Sequence, residues 1–148
     1  MHTNIFRQVA CVIMLCMMGS SAADNTPTPL APCPDSPNCV SSLAPDSDRE
    51  HYIAPFSFSG DPAAAWQRLR TAVLAEKRVT IVQERKGYLH AEMRSLIFRF
   101  VDDVEFSLAA DADLINVRSA SRMGYSDFGV NRKRVERIRA AFDSQPAE

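Results

Sequence analysis

From Val79 to Arg122 the hydrophobic residues recur at every second position, while the segments on either side recur at every third or fourth. A period of two belongs to strands and a period near 3.6 to helices, so the chain reads as helix, strands, helix. On the N-terminal side, Asp61-Pro62 is a helix start, with aspartate as N-cap and proline at the first helical position. Trp66, Leu69 and Val73 then form one buried stripe of a helix over 63–76. On the C-terminal side, Val135, Ile138 and Phe142 give the same stripe to a helix over 132–142. Asn131 is its expected N-cap, Val130 and Val135 form a hydrophobic staple, and Arg132, Lys133, Arg134, Arg137 and Arg139 fill the polar faces.

The alternating stretch divides at its turns. Val79 to Glu84 is one strand, and Lys86-Gly87 is a hairpin signal. Over 87–95, Leu89, Ala91 and Met93 point one way, and Tyr88, His90, Glu92 and Arg94 the other. Over 96–108, Leu96, Phe98, Phe100, Val104, Phe106 and Leu108 share a face, opposite Ile97, Arg99, Val101, Asp103 and Glu105. Asp102 breaks the apolar face and marks either a bulge or a buried, partnered carboxylate. Asp111 to Asp113 is a turn. Leu114 to Arg122 is the last strand, with Ile115 and Val117 inward and Asn116, Arg118 and Arg122 outward. Short turns imply an antiparallel meander. The expected fold is therefore α+β, a two-layer sandwich: a four- to five-stranded meander with two amphipathic helices on one face. His51 to Ser59 is a further edge strand, limited by Pro55.

Upstream of this domain, over 51–148, the chain changes character. Arg7 is followed by the uncharged run Val9 to Met18, and 19–23 end in the small-x-small pair Ser21 and Ala23. Ten apolar residues rise about 15 Å as a helix, half a hydrocarbon core, so 1–23 read as a secretory signal peptide cleaved near Ala23–Asp24. Removing 23 of the 148 residues leaves 125, with no membrane span expected among them. The segment 24–50 is proline-rich and extended, and holds Cys33 and Cys39 in a short loop. In an oxidising compartment the default is a disulfide, worth about 2.4 kcal/mol on the chain-entropy account. The rival is a metal site completed by His51 and His90, but the spacing fits no zinc pattern.

The chain carries 17 basic and 18 acidic residues, so its overall balance gives no argument for a nucleic-acid partner or for an anionic membrane surface. It has no phosphate loop, no H-E-x-x-H and no G-x-S-x-G, so catalytic residues stay unassigned and no cofactor is expected. The binding candidates are Arg94, Arg99, Asp103, Arg118, Arg122, Tyr125, Asn131 and Arg132. Arginines on the outer sheet face offer bidentate donors to carboxylate or phosphate. The competing arrangement is a solvated face of cross-strand ion pairs. The turn 124–131 offers helix N-terminal donors to an anion unless Asp127 or Asn131 already takes them. Two roles follow: an exported binding or structural module for an anionic ligand or envelope component, or a hydrolase-like enzyme using the charged face. Arg118 and Arg122, four apart in a strand, lie roughly 13 Å apart and need separate partners. Arg122 is expected to be structural and Arg118 to face a ligand.

CPDSPNCVSS at 33–42, YLHAE at 88–92, FRFVDDVEF at 98–106 and VRSASRMGYSDFGVNRKRVERIR at 117–139 resemble the domain-of-unknown-function family numbered 1499. The resemblance spans about 31–143. It implies relatives of bacterial-envelope or plastid type and of similar length, and it brings no assigned activity.

Overall fold

The computed structural model of the chain describes residues 30–95 and 100–146. Its strands are β1 (Cys39–Ser41), β2 (Phe56–Ser57), β3 (Val79–Arg85), β4 (Tyr88–Arg94), β5 (Val101–Ala109) and β6 (Leu114–Ser121). Its helices are α1 (Pro62–Leu74) and α2 (Val130–Asp143). The fold is α+β, and the strands make one six-stranded sheet in the order β1-β6-β5-β4-β3, with β2 also on β6. All named pairings are antiparallel.

The meander β3-β4-β5-β6 is the alternating stretch of the sequence. Its inward residues Leu89, Ala91, Met93, Val104, Phe106, Ile115 and Val117 form one core with Trp66, Leu69 and Val73 of α1 and Val135, Ile138 and Phe142 of α2. Each aliphatic side chain buried there contributes about 1.5–3 kcal/mol. Phe56 stands edge-on to both Phe106 and Phe142, with ring centroids 5.7 and 5.6 Å away. Asp61 caps α1 as its sequence requires, its carboxylate accepting from the Ala63 and Ala64 amides.

The sheet is larger than a meander. Residues 39–41 lie in the proline-rich segment, yet they pair along β6 from Ala120 to Arg118. The expected strand over 51–59 shrinks to β2 and an isolated bridge from Tyr52 to Ser41. The long strand expected from Leu96 starts at Val101; Leu96, Phe98 and Arg99 lie outside the described residues.

The start of α2 also differs. Gly129, at φ 74°, is the N-cap, and Asn131 is inside the first turn and fully buried. The Asp127 carboxylate takes the Gly129 amide at 2.9 Å and the Asn131 amide at 2.7 Å, which moves the helix start ahead of Asn131. Asn131 is freed to bridge Ser119, Ser121 and the Asn38 carbonyl. Val130 is exposed, so no staple forms with Val135. Arg134 leaves the polar face of the helix altogether. It reaches through the core to Asp102, at 2.5 Å, with both side chains 6% exposed. Asp102 is therefore the buried, partnered carboxylate and not a bulge.

Candidate functional site

The outer sheet face is built by register. Glu92 faces Asp103 across β4 and β5, and Glu105 faces Arg118 across β5 and β6. Two carboxylates opposite one another repel. Arg122 resolves this: its Nε and Nη2 each donate to Asp103 at 2.8 Å, and Nη2 also donates to Glu92 at 2.6 Å. Arg94 donates to the other Glu92 oxygen at 3.1 Å, and His90 meets Asp103 at 2.6 Å. Beside this cluster, Arg118 Nη1 and the Tyr88 hydroxyl donate to the two oxygens of Glu105, at 3.1 and 2.7 Å.

The charges shift one another accordingly. The Arg122 hydrogen bond holds Glu92 below its ordinary pKa. Burial raises Asp103, but the Arg122 and His90 hydrogen bonds outweigh it and leave Asp103 low as well. Burial, reinforced by Glu105, raises the Tyr88 phenol. Three arginines and three carboxylates thus neutralise one another on this face.

Of the predicted binding residues, Arg94, Asp103, Arg118 and Arg122 stand together here, each with a partner of opposite charge. Arg122 is paired with both Glu92 and Asp103. Arg118, expected to face a ligand without a carboxylate, is paired with Glu105; its Nε is the buried side-chain donor that lacks a hydrogen bond among the described residues. The others are scattered. Tyr125 is 76% exposed on the loop before α2. Arg132 donates to the Arg49 and Glu50 carbonyls. Asn131 is a buried strut, and Arg99 lies outside the described residues. The donors of the 124–131 turn are taken by Asp127 and by Ser126, which accepts from the Phe128 amide.

Unneutralised positive charge sits elsewhere. A cleft of about 590 Å3 opens where the end of α1, the start of α2 and the β3–β4 edge meet. Lys77, Arg78, Arg94, Arg134 and Arg137 line it, against one carboxylate, Glu76. Arg137 pairs with Glu76, Arg134 with Asp102 and Arg94 with Glu92. Lys77 and Arg78 retain their charge, because the Arg78 side chain donates from Nε to the Arg94 carbonyl, which is neutral, and neither residue has a carboxylate partner among the described residues. Arg78 is held at φ 58°, a left-handed backbone that side chains rarely adopt. Sequence reading missed this site because its cations come from three segments. The available signal was the run Glu76-Lys77-Arg78 at a helix end.

At the opposite end of the sheet, Cys33 and Cys39 form a disulfide with Cα atoms 5.6 Å apart, so neither sulfur is free for a metal. A cavity of about 300 Å3 beside it is lined by Ser41, Asp48 and His51 among others. His51 Nδ1 meets Asp48 at 2.8 Å and Nε2 meets the Ser36 carbonyl at 3.3 Å, so neither nitrogen is aimed at Ser41. Both neighbours accept, which favours the imidazolium, and the Asp48 hydrogen bond raises the His51 pKa. Among the described residues no group of three or more His, Cys, Asp and Glu is placed to hold a metal ion. No described helix is long and apolar enough to cross a membrane.

A model of the family described as Protein of unknown function (DUF1499) matches residues 29–142. That match takes in every strand and nearly all of α2. No curated protein matches the chain. The chain belongs to the DUF1499 family.

Proposed function

We propose that this DUF1499 protein is an exported module that binds a small anionic ligand in the basic cleft beside Arg94. The observation that carries the reading is the excess of cations lining that cleft, with Lys77 and Arg78 left unneutralised. A cleft of this volume suits a small molecule, and guanidinium groups suit phosphate or carboxylate oxygens. The charged outer sheet face then serves to fix Arg94: Glu92, itself clamped by Arg122, holds the Arg94 guanidinium at the cleft wall. Export is supported by the apolar leader ahead of 24 and by a disulfide that an oxidising compartment would maintain.

Titration calorimetry with inorganic phosphate and with pyrophosphate tests the binding. The mature protein should bind at low salt, more weakly as salt screens the cleft. Lys77→Ala combined with Arg78→Ala should weaken binding at least about tenfold. Equal affinity in that variant would remove the cleft as the site. For export, the tagged protein should be recovered beginning near Asp24, and alkylation without reductant should label neither Cys33 nor Cys39. An intact N-terminus in the cytosol, or two free thiols, would refute it.

A further inference from the structure

The loop that leads into α2 carries the most exposed large apolar residues of the described chain. Met123 is 70% exposed, Tyr125 76% and Phe128 86%. Isolated exposed apolar residues are ordinary, but three within six positions on one loop form a patch. The loop is pinned. Asn38 Nδ2 donates to the Gly124 carbonyl at 2.5 Å, the Asp127 carboxylate takes two amides, and Ser126 takes the Phe128 amide. Phe128 itself is at φ 54°, a conformation disfavoured for a bulky side chain. A strained backbone thus presents an aromatic ring to solvent, where it gains no packing within the fold.

Phe128 stands two residues along the chain from the basic cleft. Val130, the first residue of α2, lines the cleft with Lys77, Arg78, Arg94 and Arg137, and all four of these basic side chains are exposed. Aromatic and sulfur side chains projecting beside a fringe of lysine and arginine match the two layers of an anionic bilayer surface. The projecting rings sit at headgroup depth, and the cations meet the phosphates. A protein partner would instead be favoured by a concave apolar groove, and none of the three residues lines one of the clefts described above.

We propose that the loop 123–130 docks the protein on an anionic lipid surface, with Met123, Tyr125 and Phe128 among the headgroups and the adjoining cleft on a lipid phosphate. The proposal rests on the cleft reading above: the cleft takes a phosphate group, whose sources are a lipid headgroup or free phosphate. Each basic residue near such a surface should add about fivefold to binding.

Co-sedimentation of the mature protein tests it, with vesicles of phosphatidylcholine alone and of phosphatidylcholine mixed equally with phosphatidylglycerol. The protein should sediment only with the mixed vesicles. The triple variant Met123→Ser, Tyr125→Ser, Phe128→Ser should lose at least about tenfold in vesicle binding while keeping its affinity for inorganic phosphate. Phe128→Gly, which relieves the left-handed strain, should melt no lower than the parent and still bind vesicles more weakly. Lys77→Ala with Arg78→Ala should lose both activities. Sedimentation that survives the triple substitution would reduce the attraction to charge alone and overturn the docking. Failure to sediment with either vesicle would also overturn it, and would assign the loop to a protein partner. Both failures leave phosphate binding standing, whereas unchanged phosphate binding in the double variant sinks the cleft reading itself.

Discussion

Asp102 and Asp103 are consecutive, and each is held by an arginine far along the chain, yet the two pairs live in different media. The strand sends Asp102 inward, where it and Arg134 are each 6% exposed. It sends Asp103 outward to Arg122, which is 44% exposed. Arg134 has a closed set of partners: Asp102, Asn131 and Ser119. Arg122 shares its charge between two carboxylates at the surface. In the interior, losing one partner strands a charge where water cannot reach it; at the surface, water replaces the lost partner. Two neighbouring residues with the same chemistry therefore differ in what they do, one fixing the fold and the other shaping a face.

The largest expected effect is on the inner pair. Arg134→Met leaves Asp102 buried and unpaired and should lower stability by about 3–5 kcal/mol in urea unfolding. Adding Asp102→Leu to it should restore most of the loss, since an apolar pair of similar volume is often neutral or better. A loss as large in the double variant would mean that the pair is not the buried unit described.

Arg118 lies between the two media. It is 15% exposed and faces Glu105, which keeps the Tyr88 hydroxyl as a second donor. Arg118→Met should cost about 1 kcal/mol, because it strands one carboxylate oxygen but also removes the unbonded Nε. An increase in stability would show that the orphan donor outweighs the pair.

Arg122→Met should cost several-fold less than Arg134→Met when the two are measured together. A comparable loss would erase the distinction between the faces.

The smallest effects are in pH dependence. Glu92 and Asp103 are held below their unfolded values, so the stability they add is present above the ordinary carboxylate range and fades as pH falls through their folded values. His51 is held above its unfolded value, so its contribution is present below about pH 6.5 and is lost as pH rises through the folded value. Melting temperature against pH should decline at both ends. Arg122→Met should flatten the acid limb and Asp48→Asn the alkaline one. An alkaline limb unchanged by Asp48→Asn would detach His51 from that partner.

The outer face was legible because alternation assigns every residue of a strand to a side. His90, Glu92, Asp103, Glu105, Arg118 and Arg122 all lie where the period of two places them. The partners were not legible, since they depend on which strands adjoin and at what register. Asp102 stood out as a charge in an apolar series, and a partner was foreseeable. Arg134 was hidden among five basic residues of one helix, and only the helix rotation shows that this one turns inward. Asn131 looked like a cap because it precedes an apolar stripe, but Asp127 is better placed to accept the first amides. β1 escaped because three residues have no measurable period. The cleft escaped because it is made by the meeting of three element ends.

The buried bond from Asn131 to the Asn38 carbonyl joins residues 93 apart, and the strand that β1 pairs with among the described residues is β6, apart from the isolated bridge from Ser41 to Tyr52. As the chain is synthesised, β1 emerges first and must wait for β6 before its ladder can form. β6 in turn keeps an open edge until β1 returns to it, and an open edge invites other chains. The meander and its helices can assemble by mostly local steps, whereas seating β1 closes the long loop from Cys39 to Ala120 and belongs to the slow, late part of folding. The disulfide between Cys33 and Cys39 closes a small ring at that last-arriving strand, so it shapes the piece that locks the fold and not the piece that starts it.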